Sequence, residues 1–141
     1  MRKTCMTCLL AACVAANAQS PSNLQGFWYT DGVENGVHAR FVMKNRANGI
    51  FVKTIADITD CRHPRSWIET GHWSFRNSRL EQITESVDGE PVDAADPEYN
   101  DGFDISGNDR HFAMSDSKTK VTWQVDKVAA DFQIPTDCGT V

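Results

Sequence analysis

The chain has 141 residues and a formal net charge of −5 at pH 7, with 14 Lys and Arg residues against 19 Asp and Glu residues. This length predicts one domain, large enough to bury a hydrophobic core. Lys and Arg are outnumbered and unclustered, which excludes a protein that binds nucleic acid phosphates, and beyond the N-terminus no apolar stretch approaches the length of a transmembrane segment.

The N-terminus has the three parts of a secretory signal peptide. Arg2 and Lys3 form a positive region, residues 5–16 are apolar or small, and residues 16–18 have the small-x-small pattern that precedes cleavage. Cleavage before Gln19 would remove two positive charges and change the net charge from −5 to −7. We therefore predict an exported protein.

A second interpretation of the same segment remains open. Residues 10–13 read Leu-Ala-Ala-Cys and resemble a bacterial lipobox, in which Cys13 would be lipidated. The protein is then either a soluble periplasmic or secreted one, released from a signal peptide of residues 1–18, or a lipoprotein anchored to the outer membrane. In the first case residues 19–23 are a short N-terminal segment, and residues 24–141 form the single β domain in both.

The cysteines agree with export. Cys5, Cys8 and Cys13 lie in the signal, so the domain retains Cys61 and Cys138. In an oxidising compartment such a pair predicts a disulfide, which would stabilise the fold by roughly 4–5 kcal/mol on the chain-entropy model. The alternative is a pair of metal ligands, but neither cysteine has a second one two to four residues away, as zinc sites usually do.

The domain begins with short alternating segments that are typical of β-strands. Residues 25–30 are rich in aromatic side chains, residues 37–44 alternate apolar and polar side chains, and residues 50–59 are β-branched. Asn48 and Gly49 separate the second and third segments and predict a β-hairpin, because both central residues of a type I′ turn need positive φ.

The same periodicity continues to the C-terminus. Residues 67–76 and 79–87 predict two more strands, and an acidic connection with two prolines follows at residues 88–98. Three further strands are marked by alternating apolar residues: Tyr99, Phe103 and Ile105; Phe112 and Met114; Val121, Trp123 and Val125.

The pattern predicts an all-β protein of about eight strands in simple succession. Nothing between the strands has the length of a crossover helix, so the sheet should be antiparallel. An up-and-down meander of this size removes its edges by closing into a barrel. A two-sheet sandwich is the alternative, and residues 129–132 could form a short helical turn.

Several motifs resemble those of lipocalins. Gly26-Phe27-Trp28 is similar to the Gly-x-Trp that opens these proteins, and the second half resembles a family of small bacterial exported lipocalin-like proteins. The resemblance covers residues 24–128, and its other motifs are Gly71-x-Trp73, Leu80, residues 88–92, Tyr99 with Phe103, and residues 123–128.

The resemblance implies a lipocalin-like barrel with one closed end. Trp28, beside Gly26, would pack at that end beneath a basic side chain of the last strand, and Lys127 occupies the position where an Arg is expected. The Cys61–Cys138 bridge would fasten the tail to the loop before residue 67, as a C-terminal disulfide does in many lipocalins.

One set of residues is the leading candidate for a ligand site. It consists of aromatic side chains that alternate toward the interior, where they would either line an apolar pocket or simply form the core. These residues are Phe41, Trp67, Trp73, Phe103 and Trp123.

The polar candidates have simpler interpretations. Seven carboxylates between residues 88 and 104 are irregularly spaced and predict a solvated loop rather than a calcium site. The four histidines are dispersed, although His38 and His72 are both expected to point outward, where a zinc site across strands remains an alternative. We predict no metal and no cofactor.

Two functional hypotheses follow. The first is an exported lipocalin-like binding module for a small apolar ligand in the bacterial envelope. The alternative is a filled barrel that interacts with an envelope protein through its acidic loop, as an accessory factor or inhibitor. An enzyme has no support, because no nucleophile elbow, phosphate loop or framed carboxylate pair is present.

Overall fold

The computed structural model describes residues 23–138, and the predicted signal and Cys13 lie outside the described residues. The described chain is all-β, and its one helical element is a 3-10 turn at Pro97–Tyr99. Between residues 23 and 138 no helix has the length and apolarity needed to cross a membrane. The strands are β1 (Gly26–Glu34), β2 (Val37–Asn45), β3 (Ile50–Asp57), β4 (Arg65–Arg76), β5 (Arg79–Val87), β6 (Glu90–Pro91), β7 (Asn100–Gly107), β8 (His111–Asp116) and β9 (Thr122–Val128).

Eight of these strands form a closed antiparallel barrel. Each pairs with the next along the chain, and β1 pairs with β9 to complete the ring. The two residues of β6 add a small hairpin to the end of β5, which also pairs with β7. The predicted up-and-down barrel is therefore confirmed, and the sandwich is excluded.

The tight turns differ from the prediction in one place. The type I′ turn was expected at Asn48 and Gly49, but only Gly49 has a positive φ there, and its N–H donates to the carbonyl oxygen of Arg46 over 3.1 Å. The predicted hairpin is confirmed, because β2 pairs with β3 across these residues, but its turn is longer than a two-residue type I′ turn. Two-residue turns with both φ values positive occur instead at Asn35 and Gly36, Asn77 and Ser78, and Asp88 and Gly89.

β1 also continues beyond its predicted end at residue 30. It reaches Glu34 because Asp31 and Gly32 keep the strand pairing with β2, although neither is apolar. Asp31 lies on the outer face and binds Arg40, and Gly32 lies beneath the indole of Trp123. The alternation of apolar and polar residues does not reveal a strand residue that binds a neighbouring arginine, or a glycine that makes room for an indole.

A register shift in the β4–β5 pair brings two backbones close together. Gly71 pairs with Thr84, whereas the preceding Thr70 pairs with Ser86, so Glu85 is the extra residue of a bulge. A Cβ atom at Gly71 would collide with the carbonyl group of Ile83. Only glycine fits here, and the bulge increases the local twist that a closing sheet needs.

The hydrophobic core fills the end of the barrel where β1 begins. Trp28 is fully buried, packs edge-on against Phe112 with ring centroids 4.8 Å apart, and donates its indole N–H to the carbonyl oxygen of Leu24 over 2.8 Å. Asn45 donates to the same carbonyl oxygen over 3.0 Å. We call this end, plugged by Leu24 and Trp28, the closed end.

A C-terminal tail (residues 129–138) crosses the outer face of β1 and β2. It begins with a single turn closed by a hydrogen bond from Phe132 N to Ala129 O, and Phe132 packs on Tyr29. The predicted disulfide is confirmed: Cys138 is bonded to Cys61, in the loop between β3 and β4. The tail thus covers part of the outer surface where β1 and β2 are paired.

Candidate functional site

The end of the barrel opposite Trp28 is open and leads into a cavity of about 510 Å³. Around its mouth lie the β1–β2 hairpin, the 3-10 turn and the β8–β9 turn. Its apolar lining consists of Val37, Ala39, Phe41, Ile55, Phe103, Met114 and Trp123.

Two aromatic rings form one wall of the cavity. Phe41 and Trp123 pack edge to face with their centroids 5.6 Å apart, and both are largely buried. The position of the indole depends on Gly32, where a Cβ atom would lie 2.8 Å from Cζ3 of Trp123. The glycine in β1 therefore makes room for the tryptophan in β9.

A row of charged groups crosses the cavity from its wall to its mouth. The ammonium of Lys53, whose side chain is 10% exposed, lies 2.8 Å from Glu69 Oε2 and 3.9 Å from Asp101 Oδ2. The other oxygen of Asp101 is 3.4 Å from the ammonium of Lys118. One carboxylate thus lies between two cations.

A buried amide adds a further polar group to the lining. Gln82 is 2% exposed, and its Nε2 lies 2.7 Å from the Sδ atom of Met43. A thioether is a weak hydrogen-bond acceptor. The amide is therefore able to bind a better acceptor on a ligand.

Three of the five predicted aromatic residues line the cavity: Phe41, Phe103 and Trp123. Trp67 and Trp73 are partly buried against the core but are not part of this lining. Trp67 donates its indole N–H to Glu69 over 3.1 Å, whereas Trp73 donates to the carbonyl oxygen of Arg46 and lines a shallow groove at the closed end.

The predicted barrel-closing residues lie together at the closed end. The ammonium of Lys127 is 5.2 Å from the ring centroid of Trp28. Gly26 has φ of 111°, and a Cβ atom there would lie 3.4 Å from Cε of Lys127. Trp28 pairs with Lys127 across the β1–β9 seam, and the lysine lies over the indole. This is the position that the resemblance to lipocalins predicts for a basic side chain of the last strand.

The polar lining was missed by the sequence analysis, although the alternation contained a signal for it. Lys53 follows Phe51 and precedes Ile55 on the inward face of β3, and Gln82 follows Leu80 on the inward face of β5. A Lys or Gln at an inward position of a strand marks a cavity or a buried polar pair.

The histidines are each paired with a carboxylate rather than with one another. His38 binds Asp31, His63 binds Asp60, His72 binds Glu85 and His111 binds Asp126. The hydrogen bond to Asp126 raises the pKa of His111 above its ordinary value. In the described part of the chain no group of three or more His, Cys, Asp or Glu side chains could hold a metal ion.

The acidic connection is partly ordered by its own carboxylates. Asp88 accepts a hydrogen bond from Ile68 N over 2.8 Å, and Asp96 accepts one from Glu98 N at the start of the 3-10 turn. Asp93 accepts one from Ala95 N. Asp93 and Asp96 thus stabilise local turns, Asp88 joins the connection to β4, and the cavity remains the candidate ligand site.

In comparisons with known proteins, no family model and no curated sequence matches this chain.

Proposed function

We propose that this protein is an exported, lipocalin-like binding module that holds a small, predominantly apolar molecule in its barrel. The observation that carries the proposal is the open cavity of about 510 Å³ with the Phe41 and Trp123 wall. Ligand pockets typically have volumes of roughly 300–1,000 Å³, with mostly apolar linings and a few polar groups. This cavity has that size and that composition.

The polar groups give such a ligand an orientation. Gln82 and Lys53 lie on the lining between apolar residues, while Lys118 and Asp101 lie toward the mouth. An apolar body would occupy the space beside Trp123, and any polar group of the ligand would face these side chains.

The alternative was a barrel filled by its own side chains, with the acidic loop as the interaction surface. A filled barrel leaves no volume of this size at its open end. The carboxylates of Asp88, Asp93 and Asp96 are already hydrogen-bonded to backbone N–H groups nearby. Both observations favour the ligand-binding hypothesis.

Export is the second part of the proposal. The Cys61–Cys138 disulfide supports an oxidising compartment, and the sequence of residues 1–18 supports either a cleaved signal or a lipid anchor at Cys13. The placement of Lys127 over Trp28 supports the lipocalin-like interpretation. We infer a site of action in the periplasm, outside the cell or at the outer membrane.

A cavity-blocking substitution tests the binding function. Ala39 lines the cavity, so Ala39→Phe should fill part of it, whereas Ala130→Phe adds the same group to an exposed turn. We expect apolar probes to quench tryptophan fluorescence in the wild type and in Ala130→Phe, with at least tenfold weaker binding in Ala39→Phe. Equal binding by both variants, or no binding by the wild type, would contradict the proposal.

A further inference from the structure

The mouth of the cavity has more negative than positive groups. The carboxylates of Glu34, Glu98, Asp101 and Asp116 line the cavity, but the lysines that line it are only Lys53 and Lys118.

Both lysines already have anionic or carbonyl partners. The ammonium of Lys53 is 2.8 Å from Glu69, which lies behind the lining and neutralises its charge. The ammonium of Lys118 donates to the carbonyl oxygen of Pro97 over 2.6 Å and lies 3.4 Å from Asp101. Neither cation is left to attract an anionic ligand.

Two of the carboxylates have no cationic partner within residues 23–138. Glu34 ends β1 on one side of the mouth, and Glu98 lies in the 3-10 turn that precedes β7 on another. Asp116 differs, because it accepts hydrogen bonds from the backbone N–H groups of Lys118 and Thr119. Glu34 and Glu98 therefore carry uncompensated negative charge at the entrance.

The wall below the mouth is also suited to a positive charge. The faces of aromatic rings attract cations within about 6 Å of the ring centroid. Phe41 already has the ammonium of Lys53 at 5.9 Å, and Trp123, the ring type that binds cations best, stands beside it.

We propose that the ligand of this cavity is an organic cation, an apolar body carrying a positively charged nitrogen, and that anionic amphiphiles such as fatty acids are disfavoured. The inference rests on the proposed binding function and specifies its ligand class. The apolar body packs against Phe41 and Trp123, and the charged nitrogen faces Glu34 and Glu98.

Three amphiphiles with the same alkyl chain test the inference on the purified protein with its disulfide intact. Octyltrimethylammonium, octyl sulfate and octyl glucoside, each below its micelle-forming concentration, are titrated while tryptophan fluorescence is recorded. We expect the cation to bind at least tenfold more tightly than the sulfate at low salt, with a smaller ratio at high salt because ions screen the carboxylates.

Paired variants separate the mouth from the general negative charge of the protein. Glu34→Gln/Glu98→Gln should lower the cation-to-anion ratio at least threefold. The matched control is Glu90→Gln/Asp131→Asn, which removes two exposed charges outside the cavity and should leave the ratio unchanged. Thermal unfolding verifies that both variants are folded.

The outcomes distinguish this inference from the function on which it rests. Binding of the glucoside without any preference for the cation, or a preference for the sulfate, would overturn the ligand class and leave a binding cavity. An equal fall in the ratio for the two double variants would also overturn it. Failure of all three amphiphiles to bind would reject both proposals.

Discussion

The guanidinium of Arg40 donates a hydrogen bond from Nη1 to the carbonyl oxygen of Pro135 over 2.7 Å, which joins the outer face of β2 to the tail. Its Nε donates to Asp31 on the neighbouring strand over 2.8 Å. Arg40 is a polar residue of the alternating segment 37–44 and lies on the outer face, as that alternation indicates, but the tail covers its side chain and leaves it 9% exposed.

This arrangement makes Arg40 the anchor of the tail. Burial lowers its pKa and the hydrogen bond with Asp31 raises it, with a net upward shift. We expect Arg40→Met to lower the free energy of unfolding by about 2–4 kcal/mol, because Asp31 and the tail carbonyl lose a buried charged donor. Urea unfolding measures the loss, and Arg46→Met, on an exposed residue, is the control. Equal losses in the two variants would contradict the role of Arg40.

The disulfide holds the end of the same tail. Its two cysteines are 77 residues apart in sequence, so the bridge restricts a large loop of the unfolded chain. We expect Cys61→Ser/Cys138→Ser to lower the free energy of unfolding by roughly 4–5 kcal/mol on the chain-entropy model. Guanidinium unfolding of oxidised wild type and double variant tests this. A difference below about 1 kcal/mol would show that the bridge adds little.

A carboxylate near the disulfide gives the stability a dependence on acid pH. A backbone hydrogen bond from Thr59 N, followed by side-chain hydrogen bonds with Thr59 and Arg65, lowers the pKa of Asp57 from 3.8 to about 2. The stabilisation from the ionised group is complete above pH 3.8 and is lost as the pH falls through about 2.

Asp57→Asn should therefore destabilise the protein at neutral pH and much less in acid. We expect a loss of about 1.5–3 kcal/mol at neutral pH, the usual contribution of hydrogen bonds to a charged group. Thermal unfolding across the acid range measures how the difference from wild type shrinks, with Asp131→Asn as the exposed control. A difference that stays constant from neutral pH down to pH 2 would contradict the assignment.

The closed end provides a test of the contact between Lys127 and Trp28. Lys127→Met removes the ammonium that lies 5.2 Å from the indole centroid and should cost about 0.5–1 kcal/mol of stability. Lys127→Arg should keep that stability, because a guanidinium also stacks on an aromatic face. Denaturant unfolding of the three proteins checks the order. A fully stable Lys127→Met variant would show that the contact is energetically neutral.

The packing of Trp123 on Gly32 makes the cavity wall sensitive to one methyl group. Gly32→Ala places a Cβ atom 2.8 Å from the indole, which must shift, and we expect a loss of about 1–3 kcal/mol with an altered near-UV circular dichroism spectrum. Adding Trp123→Leu should recover part of the loss, since the smaller side chain leaves room. Strictly additive losses in the double variant would argue against a direct clash.

Much of the fold could be predicted because a barrel exposes one face of each strand and buries the other. The alternation at Val37 to Met43 and at Trp123 and Val125 marked strands whose ends the structure moves by only a few residues. The predicted turn type and the predicted end of β1 were wrong, because other interactions determine the backbone there. The hydrogen bond from Gly49 N to Arg46 O belongs to a longer turn, and β1 continues to Glu34 through polar residues.

The site was harder to predict than the fold. Phe103 and Trp123 were identified, because large inward aromatic residues are needed whether they form a core or a wall. Trp73 has the same pattern but lies at the closed end, because alternation does not report the height of a residue along the barrel. Trp67 pairs with the cavity residue Ile55, yet its indole N–H donates to Glu69 and it is not part of the lining. The pairing of Lys53 with Glu69 joins neighbouring strands, which a linear sequence does not show.

The seam between β1 and β9 has a consequence for the order of folding. It is built from the first and last strands, and its register joins Phe27 to Val128 and Thr30 to Val125. These contacts join residues that are far apart in sequence. Because forming them has a large loop-closure entropy cost, we expect them to form late in folding. The ring cannot close before β9 has left the ribosome, and the disulfide cannot form before Cys138 has. Any sheet that the earlier strands form before then is open, with β1 and β8 as its unpaired edges.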